Sequence, residues 1–118
     1  MQIAIQSRGF SLTDALHQHV LNRLEFTLSR GASRVRRVDV RLSDINGPRG
    51  GVDKRCLIEV RLSGLPVVVV QDVQSDMYTA IDRAAGRAAR TVLRRLALGN
   101  PRRQPHSALV ADSWSYEL

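Results

Sequence analysis

The 118-residue sequence is short of several residue types, and each shortage closes off a class of protein. Cys56 is the lone cysteine, so no intramolecular disulfide framework can form, and a single thiol in an alternating apolar run fits a core position in a reducing compartment. His17 and His19 stand two apart on a helical stretch and point in different directions, and His106 is remote, so no convergent metal-ligand set is visible. No run approaches the roughly 20 apolar residues that a membrane span requires. The opening residues Met1 to Arg8 carry no apolar stretch behind a basic start, so no signal peptide is expected and the cytoplasm is the expected location. Ser7, Ser11 and Ser75 have no base at a recognisable spacing, which leaves a nucleophilic enzyme without support.

Lysine is also nearly missing. Lys54 is the only one among 18 basic residues, which face 11 acidic ones for a formal charge of +7. Arginine donates two parallel N–H bonds to a phosphate and stacks on bases, so an arginine-only surplus points toward nucleic acid. A GC-rich genome accounts for the bias equally well, and the positions of the arginines must decide. With 43% hydrophobic and 25% charged residues the composition is that of one globular domain.

Periodicity predicts the order β-α-β-β-β-α. Ile3 and Ile5 alternate with polar neighbours in a short first strand. Ser11 with Asp14 matches a capping box, and Leu12, Leu16, Val20, Leu24 and Leu28 recur every four residues in a helix expected to end near Gly31. Val38, Val40 and Leu42 alternate with Asp39, Arg41 and Ser43; Cys56, Ile58, Val60 and Leu62 alternate with Arg55, Glu59 and Arg61. Val67 to Val70 supplies a further strand after the turn residues Ser63 to Pro66. A last helix is expected from Ser75 or Asp76 to about Leu98, with Met77, Ile81, Ala84, Ala85, Ala88, Val92 and Leu96 as its apolar stripe. The fold class is therefore α+β: one four-stranded, largely antiparallel sheet with both helices on one face. Residues 1–98 form the domain, and 99–118, including Trp114 and Tyr116, read as a flexible tail.

Opposite the apolar stripe of the last helix lie Arg83, Arg87, Arg90 and Arg94, spaced 4, 3 and 4 apart. A solvated face normally mixes Glu with Arg, whereas four like charges repel, and this favours a phosphate-binding row. Gly47, Gly50 and Gly51 with Arg49, Lys54 and Arg55 form a second basic, glycine-rich segment within 44–55. It lacks the phosphate-loop pattern and joins two strands, so an ordinary hairpin connection and a second RNA contact both stay open. Asp72, Asp76 and Asp82 near the start of the last helix are explained by its dipole.

The segment Asp76-Met77-Tyr78-Thr79-Ala80-Ile81-Asp82 resembles the helix-opening D-M-Y-x-A-I-D of the ribosome hibernation-promoting factor and ribosome-associated translation inhibitor family (sigma-54 modulation / S30EA-like). Leu12-Thr13-Asp14-Ala15-Leu16 and Ile58-Glu59-Val60-Arg61-Leu62 extend the resemblance over residues 1–98. The resemblance implies a fold similar to double-stranded-RNA-binding domains, no enzymatic activity and no cofactor. It also implies binding to the small ribosomal subunit and its rRNA where messenger and transfer RNA lie, with no membrane or small-molecule partner. Arg87, Arg90 and Arg94 match the family's basic positions, and periodicity adds Arg83. Three departures mark a divergent subgroup in short form. Ala84, Ala85 and Ala88 stand where the family has larger apolar residues, which predicts a closer approach of helix to sheet, and Gly86 sits mid-helix; the 44–55 connection is long and rich in glycine; and the family's extra C-terminal domain is not expected. The competing readings are a general RNA chaperone and a regulator that binds an acidic protein through the same arginines.

Overall fold

Cross-strand rows of β-branched residues define the sheet, which the computed structural model describes over residues 1–45 and 53–98. The strands are β1 (Gln2–Arg8), β2 (Val35–Asp44), β3 (Lys54–Leu62) and β4 (Val68–Gln74), hydrogen-bonded in the order β1-β2-β3-β4. Ile5, Val40, Ile58 and Val70 line up across all four strands, and Ile3, Val38, Val60 and Val68 form the next row. The six valine and isoleucine side chains that β2, β3 and β4 supply to these rows are at most 3% exposed. Each such side chain contributes about 1.5–3 kcal/mol relative to an exposed one. The sheet is mixed: β2–β3 and β3–β4 are antiparallel, while β1–β2 is parallel. A helix connects β1 to β2 and returns the chain to the same end of the sheet, which a hairpin cannot do.

That helix, α1 (Asp14–Thr27), is capped by Thr13 and not by the expected Ser11: Leu16 N donates to Thr13 Oγ1 at 3.1 Å. The cap falls where the four-residue repeat first reaches the core, since Leu16 is buried while Leu12 only packs against the core from outside. α1 stops short of Gly31, and a 3-10 turn, Ser29–Arg34, leads into β2. Gly31 is buried where this turn meets the last helix, and a Cβ there would stand 2.8 Å from Leu96 Cδ1.

The last helix, α2 (Met77–Leu98), opens as expected, with Asp76 Oδ2 accepting from Thr79 N at 3.0 Å. It packs on β3 and β4 and beside α1. Ala80, Ala84, Ala85 and Ala88 are fully buried, so the side facing the sheet is nearly smooth. Gly86 is not part of that contact: a Cβ there would meet only Arg90 Nη1, at 3.5 Å. Leu16, Val20, Leu24 and Leu28 of the α1 stripe join the α2 stripe and the inward strand residues in one core. The outward strand residues lie on the other face, where Arg37, Arg41 and Arg61 are exposed.

Candidate nucleic-acid interface

The four α2 arginines expected to form one row have different surroundings. Arg83 Nε lies 3.4 Å from Asp72 Oδ2, and Arg87 Nη1 lies 3.6 Å from Asp72 Oδ1. Arg87 Nη1 also donates to the Gln71 backbone carbonyl at 2.7 Å. Both side chains therefore tie α2 to β4, and one carboxylate offsets part of two positive charges. Arg90 is exposed and has no ion pair among the described residues, whereas Arg94 is half-buried and engaged. Ion pairs of this exposure are worth about 0–1 kcal/mol, so an incoming phosphate can displace them at little cost.

Asp72 was legible only as a carboxylate near a helix start. Its position on β4 opposite Cys56 turns it instead toward the α2 arginines, and Gln74 Nε2 donates to it at 2.9 Å. Asp82 is likewise no dipole cap. It sits 2.7 Å from His19 Nε2 and 3.1 Å from Arg23 Nε, joining α2 to α1, and His19 meets the Tyr78 ring edge-on at 4.9 Å.

The second predicted segment divides. Arg49 and the glycines 47, 50 and 51 lie outside the described residues, as does the whole of 99–118. Lys54 Nζ is held at 2.9 Å from Asp53 Oδ1 and 3.4 Å from Asp44 Oδ1. Asp53 is fully buried and its Oδ2 has no hydrogen-bond partner among the described residues, so Lys54 is the group there that makes this carboxylate tolerable. The hydrogen bond to Asp53 above all, and the proximity of Asp44, hold the Lys54 ammonium above the ordinary lysine range. Its charge is committed inside the fold. Arg55, one residue on, points to the other side of the sheet. It lines a shallow concavity of about 440 Å³ together with Arg8 and Arg41, on the face away from the helices. The period-two pattern had marked Arg41 and Arg55 as outward, but only the β1–β2 register brings Arg8 beside them.

Cys56 is buried against the helices, and burial, reinforced by Asp72, pushes its thiol up to about 12. Among the described residues no group of three or more His, Cys, Asp or Glu side chains could hold a metal ion, and no helix is long and apolar enough to cross a membrane.

The sequence profile of the family described as sigma 54 modulation protein / S30EA ribosomal protein matches residues 3–97. The fold is similar to that of a ribosomal subunit interface protein from Coxiella burnetii, with a TM-score of 0.72 at 16% identity over 82% of this chain and 99% of that one. It is also similar to the N-terminal domain of Protein Y from Thermus thermophilus, with a TM-score of 0.66 at 29% identity over 80% of this chain and 98% of that one. No curated protein sequence matches the chain.

Proposed function

Because the chain belongs to the sigma 54 modulation protein / S30EA ribosomal protein family, we propose that it is a non-enzymatic, ribosome-associated regulator of translation. In this reading it binds the small ribosomal subunit, seats the outer face of α2 against rRNA phosphates, and silences the subunit by filling the path of messenger and transfer RNA. The row Arg83, Arg87, Arg90 and Arg94 carries the reading: it runs along one side of α2, opposite the buried stripe, and Arg83 and Arg87 share the one carboxylate of Asp72. The solved proteins of similar fold, one of them a ribosomal subunit interface protein by its own description, support the same class of partner. Residues 1–98 are the part we propose to act, with the cytoplasm as its place of action.

Each arginine that meets a phosphate releases condensed counterions, so binding should weaken steeply as salt rises. The test is co-sedimentation with ribosomal particles, followed by a cryo-EM map of the bound particle and a translation assay. The protein should travel with small subunits and inhibit translation. The fourfold Gln variant of the row should do neither at the same concentration. Arg90→Gln is the cleanest single change, because that side chain has no ion pair to lose among the described residues. Binding to acidic polypeptides but not to ribosomal particles would overturn the assignment.

A further inference from the structure

Arginines also populate the face of the sheet that no helix covers, and their pairing is uneven. At one end stand Arg36, Arg37 and Arg61. Arg37 Nε lies 3.0 Å from Asp39 Oδ1 and Arg61 Nη2 lies 3.1 Å from Glu59 Oε1, so most of that charge is balanced in place. At the other end stand Arg8, Arg41 and Arg55. None of the three has an ion pair or a side-chain hydrogen bond among the described residues. Asp44 and Asp53 lie nearby in sequence but face the other side of the sheet, where Lys54 holds both.

The register fixes how the three are spaced. Arg8 is opposite Ser43, Ser43 is opposite Arg55, and Arg41 is one outward step along β2. Strand spacing and rise put their Cα atoms roughly 8–10 Å apart in a triangle. All three line one concavity, whose floor also includes Gln6, Ser43 and Leu57. Three guanidinium forks on a rigid sheet, with polar donors between them and no carboxylate to offset them, match an extended polyanion better than a single small ion.

We propose that Arg8, Arg41 and Arg55 form a second RNA contact, which grips consecutive backbone phosphates on the face opposite the α2 row. The proposal takes its ligand class from the reading above but not its location. The domain then holds RNA on two sides, and no side chain is shared between the two contacts.

The test compares the full chain with the triple variant Arg8→Gln, Arg41→Gln, Arg55→Gln and with the triple Arg→Lys variant. Binding is measured across a salt series to purified ribosomal subunits and to a free duplex RNA hairpin. Melting curves establish that each variant folds. The Gln variant should bind at least tenfold more weakly and show a log-affinity against log-salt slope shallower by roughly 2–3. The Lys variant should keep most of the slope, because a point charge still releases counterions. Arg61→Gln should leave the slope unchanged, since that side chain stands at the other end of the face, outside this concavity. An unchanged slope in the Gln triple, with the parent chain bound to ribosomal subunits, overturns this site and leaves the ribosome reading standing. A Lys triple as weak as the Gln triple also overturns it. If the parent chain ignores ribosomal subunits but binds the hairpin through these arginines, the ribosome reading fails and this site stands. Binding to neither RNA, or to poly-glutamate in their place, overturns both.

Discussion

Two glycines in this chain look alike in sequence and have opposite physical roles. Gly9 ends β1 with φ at +90°, and a Cβ there would press to 3.2 Å from the Asp44 carbonyl oxygen. Backbone strain and a contact that cannot move away act together, so Gly9→Ala should cost about 1–3 kcal/mol in chemical denaturation. Gly86 sits in the middle of α2, where glycine costs about 1 kcal/mol relative to alanine. Its Cβ would meet only a flexible guanidinium at ordinary contact distance, so Gly86→Ala should stabilise by about 0.5–1 kcal/mol with RNA binding unchanged. Cys56 gives a pH readout at the same scale. Its folded thiol titrates near 12 against an ordinary 9.0, so between these values the unfolded chain releases a proton that the folded one keeps. Stability should therefore be unaffected by this group below pH 9 and fall as pH climbs toward 12. Iodoacetamide labelling of the native protein at pH 8 should be negligible and should become rapid in denaturant.

α2 is the element in which stability and binding draw on the same side chains. Asp72 secures Arg83 and Arg87, while Arg87 also reaches the Gln71 carbonyl. Asp72→Asn removes the offsetting charge but keeps the shape. It should destabilise the fold by about 1 kcal/mol, tighten binding to ribosomal RNA and steepen its salt dependence. An affinity that falls with the melting temperature would show that Asp72 orients the arginines and does not restrain them. The helix itself was legible because its apolar period is long and its acidic cap is present. The strands were legible because alternation survives in each of them. What local pattern could not supply is pairing. Nothing between Val38 and Leu42 announces a parallel neighbour, and Lys54 beside Arg55 reads as one basic pair until the pleat sends them to opposite faces. Asp72 and Asp82 were misread for the same reason, since their partners lie 11 to 15 residues away or on another helix. β4 also runs on to Gln74, beyond the valine run, because backbone pairing with Lys54 continues after the apolar pattern has stopped.

At the scale of the molecule, every buried hydrophobic side chain among the described residues lies between Leu16 and Val92. Residues 99–118 carry no apolar periodicity in sequence, so a chain ending at Leu98 should melt within a few degrees of the full chain, and a larger drop would show that they belong to the fold. The sheet is also unequal in how firmly its strands are held. β1 is an edge strand, contains no fully buried residue, and reaches its neighbour only after the crossover through α1. β2, β3 and β4 follow one another through short-range antiparallel pairings and share the covered core. Local opening starts where burial is least, so β1 amides should exchange with solvent faster than those of β3. Arg8 rides on that strand. Any ligand held by Arg8 together with Arg41 and Arg55 is present only while β1 is docked, so its binding free energy adds to the cost of undocking. Bound RNA should slow deuterium uptake in Gln2–Arg8 more than anywhere else in the sheet, and the Arg8→Gln variant should lose that protection while still folding. The least secure strand would thus serve as the latch by which occupancy of the open face is converted into rigidity of the whole domain.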